Sequence, residues 1–410
     1  MKVIADLHIH SRFSRATSSE MKIESITEAA KIKGISLVGT SDFTHPEWLK
    51  ELKVKLKAVK KGLYEYEGVN YILNVEVNNT YTRKGRLRRI HNLIFVPTFE
   101  VAEKVNHKLT SYGNLSSDGR PTLSVDTHEM LKMILDISED CFLVPAHIWT
   151  PWFSLFGSKS GFDSIDDCFG DLTDRIIALE TGLSSDPPMN WRLSSLDNFT
   201  LISNSDAHSP SRLGREANVF NFEADYYELQ RVLKKKDRTK FLFTIEFFPE
   251  EGKYHYDGHR KCQVRFTPEQ SKMANDICPE CSRPLTVGVL HRVVSLADRK
   301  EDFVPKNSIP YKSLVPLEEI IAEALSVGRD TVTVRNEYLK LCRQLGGEFN
   351  VLLEAPIAEI TSVSNERIGQ AVEKVRKRDL IIEPGYDGQF GKIRIFPDKG
   401  EEKKPQLSLF

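Results

Sequence analysis

The chain has 410 residues, of which 40% are hydrophobic and 28% charged, and its formal net charge is −1. That length exceeds what one core usually holds, so two or three domains are expected. The near-neutral charge leaves no global field for nucleic acid, so any such contact must come from local basic patches. No apolar stretch approaches the roughly 20 residues that span a bilayer, and MKVIADLHIHS turns polar too soon for a signal peptide. A cytoplasmic protein without a membrane partner is expected, with its six cysteines reduced.

In chain order, the first 245 or so residues alternate short apolar runs with helical segments. The runs are Val3–Ala5, Ile35–Val38, Tyr71–Leu73, Leu93–Val96, Phe142–Val144, Ile176–Leu179 and Leu201–Ile202. Ile23, Ile26 and Ala30 place a helix over 23–33, closed by Gly34, and Tyr226, Leu229 and Val232-Leu233 place another over 225–235. Continuous apolar strands alternating with helices indicate a parallel, helix-covered sheet or barrel, and seven runs suit a barrel better. From 246 to 300 the chain is polar and aromatic and ends in a cysteine cluster. Residues 301–400 regain helical periodicity: Ile368, Ala371, Val372 and Val375 share a face behind a cap at Ser364 or Asn365, before a turn and strand in PGYDGQFGKIRIF. Cys141, Cys168 and Cys342 read as core cysteines. GEEKKP is a solvated linker to a tail, 401–410.

Ligand-type side chains gather at the ends of these runs. His8 and His10 follow the first, Asp42 the second, Glu76 the third, His147 the fifth and Glu180 the sixth. Asp206 and His208 follow the seventh. His91 opens the fourth, so that strand is expected to run the other way. Imidazole and carboxylate are ligands of zinc, manganese and iron, and an HxH pair on extended chain puts both rings on one side. A bridging carboxylate such as Glu76 can join two cations roughly 3.5–4 Å apart for in-line phosphoryl displacement.

DLHIHS, TSD, the Glu76 and His91 strands, PAH and NSDAH resemble the polymerase and histidinol phosphatase (PHP) superfamily. The resemblance implies an α/β fold, a distorted TIM-like (β/α)7 barrel, with up to three metals (zinc, manganese or magnesium). It places His8, His10, Glu76 and Asp206 on the first metal, Glu76, His91 and His147 on the second, and His208 on the third. Glu76, Asp206, His8, His10 and His147 would carry the catalysis. The chain departs from the pattern at the third site: Phe43 stands where a histidine is expected, and Arg12 and Arg15 occupy the stretch that often supplies another ligand. Asp42 or His45 is the available substitute.

Three features point towards DNA. RKGRLRR sets Arg83, Lys84, Arg86, Arg88 and Arg89 between two candidate ligands, a pattern suited to phosphate contact, and Lys159 follows nearby. Trp149, Trp152 and Phe153 crowd behind His147 with Phe156, as a pocket for an extruded base requires, although a core plug would look the same. His259-x2-Cys262 and Cys278-x2-Cys281 have the spacing of a structural zinc ribbon, with His255 and His291 as competing ligands. With HIWTPWFSLFGSKSGFDS, GHRKC–CPEC, LHRV and PGYDG, nearly the whole chain resembles endonuclease Q, a family of DNA-repair nucleases. That resemblance implies hydrolysis by metal-activated water on the 5′ side of a uracil, hypoxanthine, xanthine or abasic site, leaving 3′-hydroxyl and 5′-phosphate ends. It implies a nucleoid-associated enzyme, expected to be monomeric. The alternatives are a PHP phosphatase acting on a small monoester such as histidinol phosphate, and a non-catalytic DNA-binding adaptor. Gln406-Leu407-Ser408-Leu409-Phe410 matches the short peptide by which bacterial proteins bind the DNA sliding clamp. Leu409 and Phe410 would fill an apolar pocket, and Gln406 would bond at its edge.

Overall fold

The computed structural model describes residues 2–397, so GEEKKP and the Gln406–Phe410 peptide lie outside the described residues. The strands of the N-terminal half are β1 (Lys2–Asp6), β2 (Leu37–Gly39), β3 (Lys57–Lys60), β4 (Leu63–Tyr66), β5 (Val69–Arg83), β6 (Arg86–Val96), β7 (Thr122–Leu123), β8 (Phe142–Pro145), β9 (Ala178–Glu180), β10 (Thr200–Ile202), β11 (Ala217–Asn221) and β12 (Phe241–Glu246). β1 to β8, β11 and β12 belong to one mixed sheet, and β9 and β10 form a separate two-stranded one. β1, β2 and β5 are parallel neighbours, and β9 pairs in parallel with β10. β6 is antiparallel to both β5 and β8, which explains why His91 stands at the start of its apolar run and still reaches the site. β11 lies antiparallel between β1 and β12.

The apolar runs are buried on both faces. Val3, Ala5, Leu7, Leu37, Ile72, Leu93, Phe95, Val144, Ala178 and Ile202 pack together on one side. Ile4, Val38, Tyr71, Leu73 and Ile94 join a larger core with the covering helices. Strands sandwiched in this way have no polar face, so their sequences run apolar without alternation. The helix Ile23–Lys33 buries Ile23, Ile26 and Ala30, and Gly34 ends it with φ 84°. A left-handed residue there satisfies the last carbonyls at no Cβ cost.

Beyond Glu246 come β13 (Asp257–His259) and β14 (Val264–Phe266), an antiparallel pair, then β15 (Tyr311–Ser313). The division at residue 301 does not follow the chain path, because β15 pairs in parallel with β12 and extends the N-terminal sheet. Five helices follow between Leu317 and Arg376. Asn365, one of the two expected caps, accepts from the Ile368 amide. A buried ion pair, Lys33 Nζ to Glu348 Oε2 at 2.6 Å, ties this helical unit to the first helix. The last hairpin, β16 (Ile381–Glu383) with β17 (Lys392–Arg394), packs back on the cysteine-bearing segment through Gly385 N to Glu250 O and a Tyr256–Tyr386 bridge. Arg376 does not point into solvent from its basic helix: it donates to the carbonyls of Val351, Leu352 and Ala355. No helix among the described residues is long and apolar enough to cross a membrane.

Candidate metal centre

The strand ends deliver two groups of ligand atoms that share one residue. His8, His10, Glu76 and Asp206 each offer an atom within 4.8 Å of the others, and so do Glu76, His91 and His147. Glu76 divides its oxygens between them. Its Oε2 lies 3.1 Å from His10 Nε2 and 3.5 Å from His8 Nε2. Its Oε1 lies 2.6 Å from His91 Nδ1 and 3.0 Å from His147 Nε2. Asp206 Oδ1 completes the first group, 3.0 Å from His10 Nε2.

The donor set fits divalent cations. His8 Nε2, His10 Nε2 and Asp206 Oδ1 are buried and close, yet they make no hydrogen bond. Buried polar atoms are rarely left so, and atoms converging on a shared cation have this disposition. The opposite ring nitrogens are held. His8 Nδ1 is 3.0 Å from both oxygens of Glu180, and His10 Nδ1 is 3.3 Å from Asp42 Oδ1. A carboxylate behind each imidazole sets the tautomer that leaves Nε2 free to ligate.

Electrostatics agree. Burial alone would push the imidazoles of His8, His10 and His147 down, but the surrounding carboxylates outweigh it and hold all three above the usual histidine range. Burial would likewise raise Glu76, but His91, Arg120 and His8 hold its carboxyl well below the usual range. His91 goes the other way, pushed down to about 4 by burial despite Glu76. A cation bound here would therefore compete with protons at His8, His10 and His147, but not at His91. The backbone is strained here: Asp42, His147, Phe153 and Asp206 have φ of 49°, 31°, 62° and 48°. Such conformations persist where surrounding structure over-determines them, commonly at functional sites. Gly182 allows one of them, since a Cβ there would lie 2.4 Å from His147 Cβ.

The structure redistributes other candidates. Asp42 joins neither ligand group and stands behind His10. The His208 ring lies tilted against His10 at 4.6 Å between ring centroids, its Nδ1 bonded to the Asp206 carbonyl. Trp149 is corrected from base pocket to core: it is buried, and its indole N–H donates to Asn190 Oδ1. Trp152 is exposed, and Phe153 lies against His91 with ring centroids 5.1 Å apart. Arg83 and Arg88 do not stand free, and both also hold the fold. Arg83 donates to the carbonyls of Asp167 and Cys168, and Arg88 donates to Gly161 O over the Phe162 ring. Lys84 and Arg86 at the hairpin tip and Lys159 are exposed, while Arg89 is half-buried over Phe153.

Away from this centre, His259, Cys262, Cys278 and Cys281 bring four ligand atoms within 4.8 Å of one another. A tetrahedron of zinc–sulfur bonds of about 2.3 Å has edges just under 4 Å, and the 3.4 Å between Cys281 Sγ and His259 Nδ1 is compatible with one. His291 is turned to Asp257 at 2.6 Å and His255 stacks on Tyr256, so neither competes. Sequence reasoning missed Arg120, whose Nη1 lies 3.1 Å from Glu76 Oε2. It sits in an SSDGR turn far from any ligand motif, and nothing in that turn marks it.

The model of the MJ0043 C-terminal domain family matches residues 316–379, the five-helix unit. The lesion-specific endonuclease PfuEndoQ from Pyrococcus furiosus is 36% identical, with a TM-score of 0.87 over 97% of this chain and 96% of that one. A complex of endonuclease Q with a 27-mer duplex bearing an abasic lesion at the active site is also 36% identical, with a TM-score of 0.85 over 99% and 100% of the two chains. The uncharacterized protein MJ0043 of Methanocaldococcus jannaschii is 35% identical over 268 residues. The match takes in 64% of this chain but spans only about a third, 33%, of that relative's length.

Proposed function

The chain belongs to the endonuclease Q family, and on that footing we propose that it is a metal-dependent DNA-repair endonuclease. It hydrolyses the phosphodiester 5′ of a damaged nucleotide, leaving 3′-hydroxyl and 5′-phosphate ends. The observation that carries this reading is Glu76, which gives one oxygen to each of two adjacent ligand groups. Cations there supply charge to phosphate oxygens and lower the pKa of water. The protein's own part is orientation. Glu180 and Asp42 lock His8 and His10, and the β5–β6 hairpin carries Glu76 and His91 on paired strands. Lys84, Arg86, Arg89 and Lys159 contact backbone phosphates, and Trp152 and Phe153 receive the extruded base.

The finer fold reading is a distorted seven-stranded barrel, β1-β2-β5-β6-β8-β9-β10. Two contacts beyond the ladders support its closure: Ile148 N to Glu180 O between the ends of β8 and β9, and a parallel bridge between Ile9 and Ala207. The His259–Cys281 segment takes one structural zinc. The terminal peptide Gln406–Phe410 docks on the bacterial sliding clamp.

The test is cleavage of end-labelled duplexes carrying a single uracil, hypoxanthine or abasic site, with manganese or magnesium. The expected result is one cut immediately 5′ of the lesion. Turnover of p-nitrophenyl phosphate with no cutting of any duplex would instead identify a monoester phosphatase.

A further inference from the structure

The superfamily pattern allows a third cation beside the first, and this chain's residues do not fit one. Asp42 has no oxygen to spare. Its Oδ2 accepts from Ser11 N at 2.7 Å, Ser11 Oγ at 2.6 Å and Ser14 Oγ at 2.8 Å. Its Oδ1 takes Ser41 Oγ at 3.0 Å and faces His10 Nδ1. Phe43 is fully buried where a histidine would ligate. His45 is stacked on Phe13 at 4.3 Å. Among the described residues, no third group of ligand atoms includes Asp42, His45 or His208.

The space beside Asp42 is filled by polypeptide. Gly119 packs so closely that a Cβ on it would lie 2.3 Å from Asp42 Oδ2 and 2.4 Å from Ser14 Oγ. The turn is laced down on both sides. Gly119 N donates to Phe13 O at 3.0 Å, and Asp118 Oδ1 accepts from Arg15 N at 3.2 Å and Arg120 N at 3.1 Å. The next residue puts a cation into the centre: Arg120 Nη1 reaches Glu76 Oε2 at 3.1 Å with its side chain about a quarter exposed, at 26%.

We infer that this chain builds a two-metal centre in which the Asp118–Arg120 turn fills the third site and the Arg120 guanidinium supplies its positive charge to the scissile phosphate. The chemistry suits the substitution. A guanidinium is always charged, and its planar fork matches two phosphate oxygens. Placed beforehand, it meets the charge that develops on those oxygens during displacement without reorganising. Arg120 lies on the same side of Glu76 as His8 and His10, because all three approach Oε2. This inference rests on the phosphodiesterase reading above.

The test counts metals and separates turnover from binding. The full-length protein is loaded with manganese, freed of excess, and analysed by mass spectrometry. Two manganese ions per chain are expected besides the zinc, and three would overturn the inference. Arg120→Ala should keep both ions and lose on the order of 10²-fold or more in kcat on an abasic duplex, with KM moving far less. Arg120→Lys should recover part of the loss. An unchanged kcat in Arg120→Ala would overturn the inference, as would loss of a manganese ion, which would make the residue a mere support for Glu76. If the unaltered protein cuts no DNA, the nuclease reading itself fails, while the manganese count still decides whether a third site exists.

Discussion

Replacing Glu180 by glutamine changes no shape and removes one charge, yet the structure predicts a large loss of metal affinity. Glu180 is buried and surrounded only by donors: His8 Nδ1, His147 N at 2.8 Å and Asn204 Nδ2 at 2.8 Å. An amide has one accepting and one donating end. Asn204 cannot turn to compensate, because its own oxygen accepts from Leu7 N and Asn218 Nδ2, both at 2.9 Å. In either orientation the new amide faces a buried donor with a donor. A buried unsatisfied group of this kind costs about 1–3 kcal/mol. If His8 accepts from the new amide, its proton moves to Nε2 and it is lost as a ligand, while Asn204 Nδ2 or the His147 amide still lacks an acceptor. Loss of a carboxylate behind a ligating histidine typically weakens metal binding about 10–100-fold, or about 1.4–2.7 kcal/mol, so the two figures agree. Competition against a fluorescent chelator should show manganese bound about 10–100-fold more weakly by Glu180→Gln. Affinity within twofold of the parent, in a variant of unchanged melting temperature, would refute the argument.

Burial pushes the Glu246 carboxyl up to about 8, and burial together with Glu246 raises Glu216, so both are favoured neutral in the folded state. A raised folded pKa gives stability that is complete below the unfolded value of about 4.3 and is lost as pH rises through 8. Glu246→Gln should flatten the fall in melting temperature between about pH 5 and 9, and an unaltered profile would discount it. Lys84→Ala and Arg86→Ala should each lower the salt slope of DNA binding by about 1, whereas Arg88→Ala should lower the melting temperature. Scanning calorimetry and binding at several salt concentrations will tell these classes apart. Cys278→Ser should lose zinc by metal analysis and melt lower while the manganese centre still loads, since metal binding energy in such a segment is folding energy. Deleting 406–410 should leave cutting of short free oligonucleotides unchanged and remove stimulation by a loaded sliding clamp; equal stimulation with and without the peptide would exclude it as the docking site.

How much of this was legible in the sequence depended on the range of the interaction. Ligands at strand ends were legible because a strand fixes which residues emerge at its end, and the position of His91 even required the reversed strand that β6 forms. Roles set by distant partners were not. An indole beside a metal ligand reads alike whether it meets a base or, as Trp149 does, Asn190. Arg83 and Arg88 look like any hairpin charges until the carbonyls of 161 and 167–168 are seen beneath them. The three residues of β15 carry no pattern of their own and become a strand only beside β12. Arg120 is 44 residues from Glu76, and only the folded turn joins them.

The β5–β6 hairpin is longer than anything the core requires. From Glu76 to Arg83 the ribbon runs seven residues, with its ladder unbroken to the Arg83–Arg86 pair. At about 3.4 Å per residue its tip stands roughly 24 Å from the bridging carboxylate. Stacked base pairs rise by the same 3.4 Å or so, so a duplex laid along the ribbon would present about seven of them between the cut and the tip. On the proposed reading of Lys84 and Arg86 as phosphate contacts, a lesion nearer than that to a helix end would leave both without a phosphate to meet, so binding would weaken as the intact duplex beside the damage shortens.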